Sequence, residues 1–298
     1  MVDQKILDKA GVLIEALPYI SRFRNNIIVV KYGGSAMLRK ELERNVVEDV
    51  ALLKLIGFRP ILVHGGGKKI SEWVKRAGIE PRFYNGLRIT DADTLEIAHM
   101  VLSKANSDLV MMAQSLGVNA VGISGIDGGF MTVEKKMPEG HDIGFVGEIT
   151  NIDTQLITSL LDEDLIPIVY PIGHDENGQF YNINGDHAAA AIAQALVADK
   201  LVYLTDTEGV YEQPDDPSSV VSELYIDDAK KLIECGNIRG GMIPKVQNCI
   251  DTIEAGVKRV HILDGSLPHS LLLEIFTDSG VGTAIMSRDE TRYFTEEE

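Results

Sequence analysis

Ile27-Ile28-Val29-Val30-Lys31-Tyr32-Gly33-Gly34-Ser35 carries an uninterrupted apolar run into a lysine and then into two glycines. A strand buried on one face alternates apolar and polar residues, whereas a strand buried on both faces does not. The glycines allow a sharp turn into the next segment, because they tolerate backbone angles closed to other residues. Further short runs have the same character: Pro60-Ile61-Leu62-Val63, Ala120-Val121-Gly122-Ile123, Ile166-Pro167-Ile168-Val169, Leu201-Val202-Tyr203-Leu204 and Arg259-Val260-His261-Ile262-Leu263. Between them the spacing predicts helices over 40–55, 91–116, 186–198 and 244–255. Such strands, separated by helices, predict an α/β fold: an open three-layer αβα sandwich with a mainly parallel central sheet. A closed barrel would need a more regular eightfold alternation.

Two segments break that rhythm. Residues 131–149 carry Gly144 and Gly147 among short alternating runs and predict hairpins, and Phe180-Tyr181-Asn182-Ile183-Asn184 is another short extended piece. Hairpins at the carboxyl ends of parallel strands make natural lids over a ligand crevice. Ahead of the first strand, Ile6, Ala10, Leu13, Leu17 and Ile20 recur at helical spacing, so an extra amphipathic N-terminal helix is expected outside the core. The chain therefore divides into an N-terminal helix, 1–25, and a main domain, 26–298. The acidic stretch Thr295-Glu296-Glu297-Glu298 is expected to fray.

With 28 Lys+Arg against 45 Asp+Glu the net charge is −17, which argues against a nucleic-acid partner, since phosphate backbones want a basic face. No apolar run approaches the ~20 residues needed to span a bilayer, and no signal-peptide pattern is visible. Cys235 and Cys249 are too few for a disulfide framework or a zinc site. A cytoplasmic protein is the expectation, with no membrane partner.

The chemistry concentrates at strand ends. After Val29-Val30, Lys31 and the Gly33-Gly34 turn could hold a phosphate by point charge and peptide N–H groups; an ordinary strand–turn–helix junction reads equally well from these residues alone. Val63-His64-Gly65-Gly66-Gly67-Lys68-Lys69 repeats the pattern, and three glycines carry an entropic cost that a plain turn rarely needs. His-Gly-Gly-Gly also occurs as an oxyanion-hole segment in esterases, but the Gly-x-Ser-x-Gly elbow they need is missing. There is no Gly-x-x-x-x-Gly-Lys-Ser/Thr loop, no Gly-x-Gly-x-x-Gly opening a helix, and no histidine pair at metal-binding spacing. No protein-held metal is expected.

Further segments complete a set: Asn85-Gly86-Leu87-Arg88-Ile89-Thr90, Asn182-Ile183-Asn184-Gly185-Asp186, Leu204-Thr205-Asp206-Thr207-Glu208-Gly209-Val210-Tyr211 and Gly240-Gly241-Met242-Ile243-Pro244-Lys245. Each alone is a capped helix, a turn or a Pro-started helix. In this order, with the two glycine turns, they resemble the amino-acid kinase family, and in particular its acetylglutamate branch, from Asn26 to about Ile285.

The resemblance implies transfer of the γ-phosphoryl group of ATP to the side-chain carboxylate of N-acetyl-L-glutamate, the second step of arginine biosynthesis. It implies that Lys31 neutralises the transferring phosphoryl group and Lys245 the leaving group, with Asp186 orienting both. Gly33, Gly34, Gly66 and Gly67 would hold the phosphoryl and the reacting carboxylate. Arg88 would grip the α-carboxylate and Asn182 the acetylamino-acid backbone. Thr205, Asp206, Gly209, Gly241 and Met242 would contact ATP, with Mg²⁺ arriving on the nucleotide. An acetylglutamate lobe, about 26–180, would then face an ATP lobe, about 181–298. Acylated analogues one methylene longer, such as acetyl-aminoadipate or a carrier-linked relative, fit the same spacing; a non-catalytic ligand sensor should lack one of the charge-neutralising residues. The N-terminal stripe fits a helix folded back on its own subunit; the helix also resembles that of an arginine-inhibited branch, which implies a hexamer, a trimer of dimers, with Glu274 and Gly280 near an L-arginine site.

Overall fold

The computed structural model describes residues 14, 17–34, 37, 39–214, 216–277 and 280–290. Ile6, Ala10 and Leu13 of the expected N-terminal stripe, Ser35 of the first turn, and the tail 295–298 lie outside them. Of that helix the structure describes α1, Leu17–Phe23.

An eight-stranded sheet forms the middle layer. Its centre is β1 (Ile27–Tyr32), flanked by β2 (Arg59–His64) and then β8 (Ile166–Tyr170) and β5 (Ala120–Ser124). On the other side of β1 lie β11 (Lys200–Thr205), β13 (Arg259–Asp264), β14 (Thr283–Met286) and β12 (Glu223–Tyr225). Every neighbouring pair is parallel except β13 and β14. All six strands expected from the sequence are in this sheet.

The run of apolar residues in β1 is explained by two covered faces. Ile28, Val30 and Tyr32 pack with Leu62, Val202 and Leu204 under α2 (Lys40–Leu55). Val29 packs with Ile61, Val63, Leu201 and Tyr203 on the opposite face. There α6 (Gly185–Ala195) and α8 (Met242–Glu254) close the layer. Helices α3 (Gly67–Arg76) and α4 (Ala92–Ser115) pack on each other beyond β2 and β8, and α5 (Gln155–Asp162), α7 (Ile226–Glu234) and α9 (Ser270–Phe276) fill the remaining flanks. The result is the three-layer sandwich read from the sequence. Among the described residues no helix is long and apolar enough to cross a membrane.

Short strands lie at the carboxyl ends: those expected over 131–149 and at 180–184, and a hairpin over 83–88 that the sequence did not suggest. β3 (Phe83–Tyr84) pairs with β4 (Leu87–Arg88). A second sheet orders β10 (Phe180–Asn182), β9 (Ile172–His174), β6 (Met131–Lys135) and β7 (Gly147–Ile152). The chain leaves β1 toward β2 on one side and reaches its other neighbour only at β11, so a crevice opens beyond the carboxyl end of β1.

Candidate active site

Lys31 is the penultimate residue of β1, and the parallel register sets it beside Val63 and Tyr203. Asp186 sits in the first turn of α6, where Asn184 caps the helix by accepting from the Asp186 and His187 amides. Lys245 rises from the first turns of α8. The fold brings these three together: Lys31 Nζ lies 2.8 Å from Asp186 Oδ1 and Lys245 Nζ lies 2.9 Å from Asp186 Oδ2. Burial acts to raise the Asp186 pKa, but the Lys31 and Lys245 ammonium groups outweigh it and hold the carboxyl well below the usual range. Asp186 therefore stays ionised and serves as a fixed anchor for two cations, with one positive charge left over.

The second glycine turn rests on a buried histidine. His64 is fully buried, and its Nδ1 donates to the Gly65 carbonyl at 2.9 Å. Its Nε2 accepts from Asn106 Nδ2 at 3.2 Å, and Asn106 also donates to the Ile168 carbonyl at 2.7 Å. Burial lowers the imidazole pKa to about 4, so His64 is a neutral scaffold rather than a charge. Asn106 has room because Gly122 on β5 has no side chain: a Cβ there would lie 1.8 Å from Asn106 Oδ1. At the first turn, Gly34 has φ +73° and a Cβ would lie 2.6 Å from Asp206 Oδ1, so both the angle and the carboxylate require glycine.

Arg88 ends β4 and is 7% exposed. Its Nη2 donates to the Gly67 carbonyl at 2.7 Å and to Ser71 Oγ at 2.8 Å, and its guanidinium stacks on Phe83 at 4.8 Å. Its Nη1 is buried with no partner among the described residues. A buried, unpaired donor of a permanently charged group is costly unless an anion fills the space beside it.

Lys31, Gly33, Gly34, Gly66, Gly67, Arg88, Asn182 and Asp186 line a single cleft of about 240 Å³. Two helices, α3 and α6, begin at its wall and add amide donors and positive dipole ends. Lys245 joins this group through Asp186. Thr205, Asp206, Gly209, Gly241 and Met242 lie outside that lining. The loop after β11 does meet the segment before α8, where Asn237 Nδ2 donates to the Glu212 carbonyl at 2.7 Å. Gly209 is buried, and a Cβ there would lie 2.5 Å from Thr283 Oγ1, so packing against β14 already accounts for that glycine.

Glu274 and Gly280 are also brought together: a Cβ on Gly280 would fall 2.6 Å from Glu274 Oε2. The Glu274 carboxylate is buried and accepts from His261 Nδ1 at 2.7 Å, from the Val281 amide at 2.8 Å and from the Gly282 amide at 3.2 Å.

Sequence reading passed over Tyr203 and Asn248. Lys245 lies 5.4 Å from the Tyr203 ring centroid, within cation–π range. The Tyr203 hydroxyl accepts from Asn248 Nδ2 at 2.9 Å and donates to the Asp186 carbonyl at 3.3 Å. Burial pushes that phenol far above its usual range, so it stays a donor. The available signal was Asn248 three residues after Lys245, on the same helical face.

A pair of cations on one fixed carboxylate, faced by glycine-rich helix starts and a half-paired arginine, is built to bring two anions together. The profile of the amino acid kinase family matches residues 26–264, and the chain belongs to that family. It is 50% identical over 292 residues to an acetylglutamate kinase of Symbiobacterium thermophilum, covering 96% of this chain and 100% of that one. Among solved structures, the N-acetylglutamate synthase of Neisseria gonorrhoeae complexed with coenzyme A and N-acetyl-glutamate superposes with a TM-score of 0.83 at 29% identity, covering 94% of this chain. The same synthase complexed with coenzyme A and L-arginine gives a TM-score of 0.80 at 28% identity, again over 94% of this chain. The chain spans 63% and 65% of the length of those two synthase chains.

Proposed function

We propose that the protein transfers the γ-phosphoryl group of ATP to the side-chain carboxylate of N-acetyl-L-glutamate, giving an acyl phosphate in the second step of arginine biosynthesis. The observation that carries this reading is Asp186 held between the Lys31 and Lys245 ammonium groups at 2.8 and 2.9 Å. Two unit negative charges brought to 4 Å repel by ~4 kcal/mol at an effective dielectric of 20, so joining a carboxylate to a phosphate demands such cations. Phosphoryl transfer leaves little covalent work to the protein, and positioning and neutralisation dominate. The acceptor carboxylate is ionised at neutral pH and has no proton to lose. Asp186 therefore acts by fixing the lysines, not as a base.

In this reading Lys31 meets the transferring phosphoryl group and Lys245 the leaving group. Gly33, Gly34, Gly66 and Gly67 offer N–H groups, and the free Nη1 of Arg88 takes the α-carboxylate. Thr205, Asp206, Gly209, Gly241 and Met242 belong to the nucleotide side, where their contacts form around ATP. Bound with ATP, Mg²⁺ neutralises phosphate oxygens. Among the described residues there is no group of three or more His, Cys, Asp or Glu placed to hold a metal ion. The lobes about 26–180 and 181–298 close over the two ligands, since neutralisation works best with water expelled. A cytoplasmic location accompanies this reading.

A coupled assay with ATP and, in parallel, acetylglutamate, glutamate and acetyl-aminoadipate tests it. Acetylglutamate should give the highest kcat/KM, and Arg88→Ala should raise its KM roughly tenfold or more, as expected for losing a charged hydrogen bond. Preference for acetyl-aminoadipate would reassign the substrate, and no turnover of ATP with any acceptor would favour a sensor.

A regulatory reading has its own support. Glu274 and Gly280 lie side by side, Tyr19 of α1 packs on Phe276 of α9 at 6.2 Å, and a structural relative is complexed with L-arginine. On this reading the protein is a hexamer built through the N-terminal helices, 1–25, and inhibited by L-arginine. The full-length chain should run as a hexamer inhibited by millimolar arginine, and deleting residues 1–24 should leave an active, arginine-insensitive dimer. A full-length dimer indifferent to arginine would end this reading and leave the kinase reading intact.

A further inference from the structure

Thr90 lies between two residues to which the proposed reaction gives substrate contacts. It follows β4 by two positions and precedes Asp91, which caps α4 by accepting from the Thr94 amide at 2.9 Å. It is fully buried. Its backbone is held on both sides: the amide donates to the Ile143 carbonyl at 2.9 Å, and the carbonyl accepts from Phe145 at 2.6 Å. The fit is close, since a Cβ on Gly144, at φ +79°, would fall 2.0 Å from the Thr90 oxygen.

Its side chain then makes two contacts of opposite sense. Thr90 Oγ1 donates to the Arg88 carbonyl at 2.9 Å and accepts from Asn182 Nδ2 at 3.4 Å. A hydroxyl has one proton, and the Arg88 carbonyl takes it, so toward Asn182 the oxygen can only accept. That fixes the polarity of the Asn182 amide: its NH₂ turns to Thr90. The Oδ1 end has no hydrogen-bond partner among the described residues, and Asn182 lines the cleft. The Asn182 backbone is separately fixed, its amide donating to the Phe145 carbonyl at 2.9 Å.

We propose that Thr90 is a positioning residue for the acceptor substrate: its hydroxyl ties the Arg88 backbone to the Asn182 amide and presents Asn182 Oδ1 as an acceptor for an N–H of the bound acylamino acid. The inference rests on the kinase reading above. Without the hydroxyl, the Arg88 carbonyl and the Asn182 NH₂ lose their partner and the amide can flip. A weakened grip on the acceptor follows, while the lysine pair and the nucleotide side are untouched.

The test compares steady-state kinetics of Thr90→Val, Thr90→Ser, Asn182→Ala and the double variant Thr90→Val/Asn182→Ala. Thr90→Val should raise the KM for acetylglutamate roughly tenfold, with kcat and the KM for ATP within about threefold of wild type. Thr90→Ser, which keeps the hydroxyl, should stay within about threefold of wild type on every parameter. In the Asn182→Ala background the Thr90→Val effect should shrink to under about twofold, because residues acting through one contact are not additive. An unchanged acetylglutamate KM in Thr90→Val overturns the proposal. So does an equal rise in both KM values that persists undiminished without Asn182, which is the pattern of a structural role. Should Thr90→Val fail to fold, Thr90→Ala carries the same expectation, and failure of both would assign the hydroxyl to stability alone. A wild type that phosphorylates no acylated amino acid defeats the kinase reading, whereas an active wild type with a normal Thr90→Val defeats only this inference.

Discussion

On the side of the crevice built by β2, β4 and β10, the polar groups are held in place before any ligand arrives, with Arg88 Nη1 and Asn182 Oδ1 left unpaired among the described residues. His64 and Asn106 are buried and bonded to each other and to backbone carbonyls, and Arg88 spends one amino group on Gly67 and Ser71. On the side built after β11 and at the start of α8, Asp206, Gly241 and Ile243 stand exposed. The two sides meet at Asp186, which takes one lysine from β1 and one from α8. On the proposed reading, the difference follows from what each ligand would bring. A small dianion offers few contacts to offset the cost of ordering side chains, so its site is ordered in advance. A nucleotide offers a large surface, and binding itself can order the loops that hold it.

The largest effects should come from the junction between the sides. Lys31→Ala and Lys245→Ala should each lower kcat about 100-fold or more, in line with losing one preorganised charge-stabilising donor. Single-turnover kinetics at saturating ATP and acetylglutamate would read this directly. Equal losses from the strand lysine and the helix lysine would show that the contrast ends at Asp186. Normal turnover in Lys31→Ala would break the scheme on its ordered side.

That contrast also marks what could be read from the amino acids. The buried strands and glycine turns were legible because they depend on local pattern: four successive apolar residues, Ile27 to Val30, at the start of β1 mean two covered faces. The helix expected over 186–198 instead ends at Ala195, because Val197 takes φ +46° where glycine is customary. The Ala198 amide then bonds the Ala193 carbonyl at 2.9 Å and the Val197 amide bonds Gln194 at 3.0 Å, closing the helix. A continuous apolar run hid that stop. β14 was hidden too, since it is a short strand running against its neighbour β13. In the site, Lys31, Asp186 and Lys245 could be singled out by resemblance, but spacing could not show that one carboxylate spans both lysines. The Asn106–His64 support, and the Thr90 hydroxyl between Arg88 and Asn182, are products of tertiary contact and leave no local pattern.

The ordered side should have its own response to acid. Burial lowers the His64 pKa to about 4 from an ordinary 6.5. In the unfolded chain His64 takes up a proton as pH falls through 6.5, while the folded ring stays neutral to about 4. Its contribution to stability is therefore full above pH 6.5 and is lost as pH falls toward 4, an effect on the order of 3 kcal/mol. Asp49 works in the opposite sense: burial, partly offset by His269, raises its pKa to about 6, so the stability it adds at low pH is lost as pH rises through that value. The wild-type curve mixes the two, and His64→Gln separates them. Urea unfolding at pH 7.5 and 4.5 should show a smaller acid-induced loss in His64→Gln than in wild type, by about 2 kcal/mol or more. Equal losses would mean that the glycine turn does not rest on a neutral ring.

The smallest effect concerns the ion pair that crosses from one side to the other. Lys68 Nζ, on the first turn of α3, lies 3.7 Å from Asp206 Oδ2, just past β11, and both side chains are about half exposed, 50% and 48%. Such a pair gains ~0–1 kcal/mol at most, because water screens the attraction and two mobile side chains must be held to make it. If the nucleotide side is completed by its ligand, this contact is incidental in the free protein. Lys68→Met should then shift the melting temperature by less than about 2 °C, with no dependence on salt beyond that of wild type. A larger loss that fades as salt is added would show the two sides clamped before ATP arrives. The nucleotide side would then be preformed like its neighbour, and the exposed groups around Asp206 would need a different explanation from ligand-driven order.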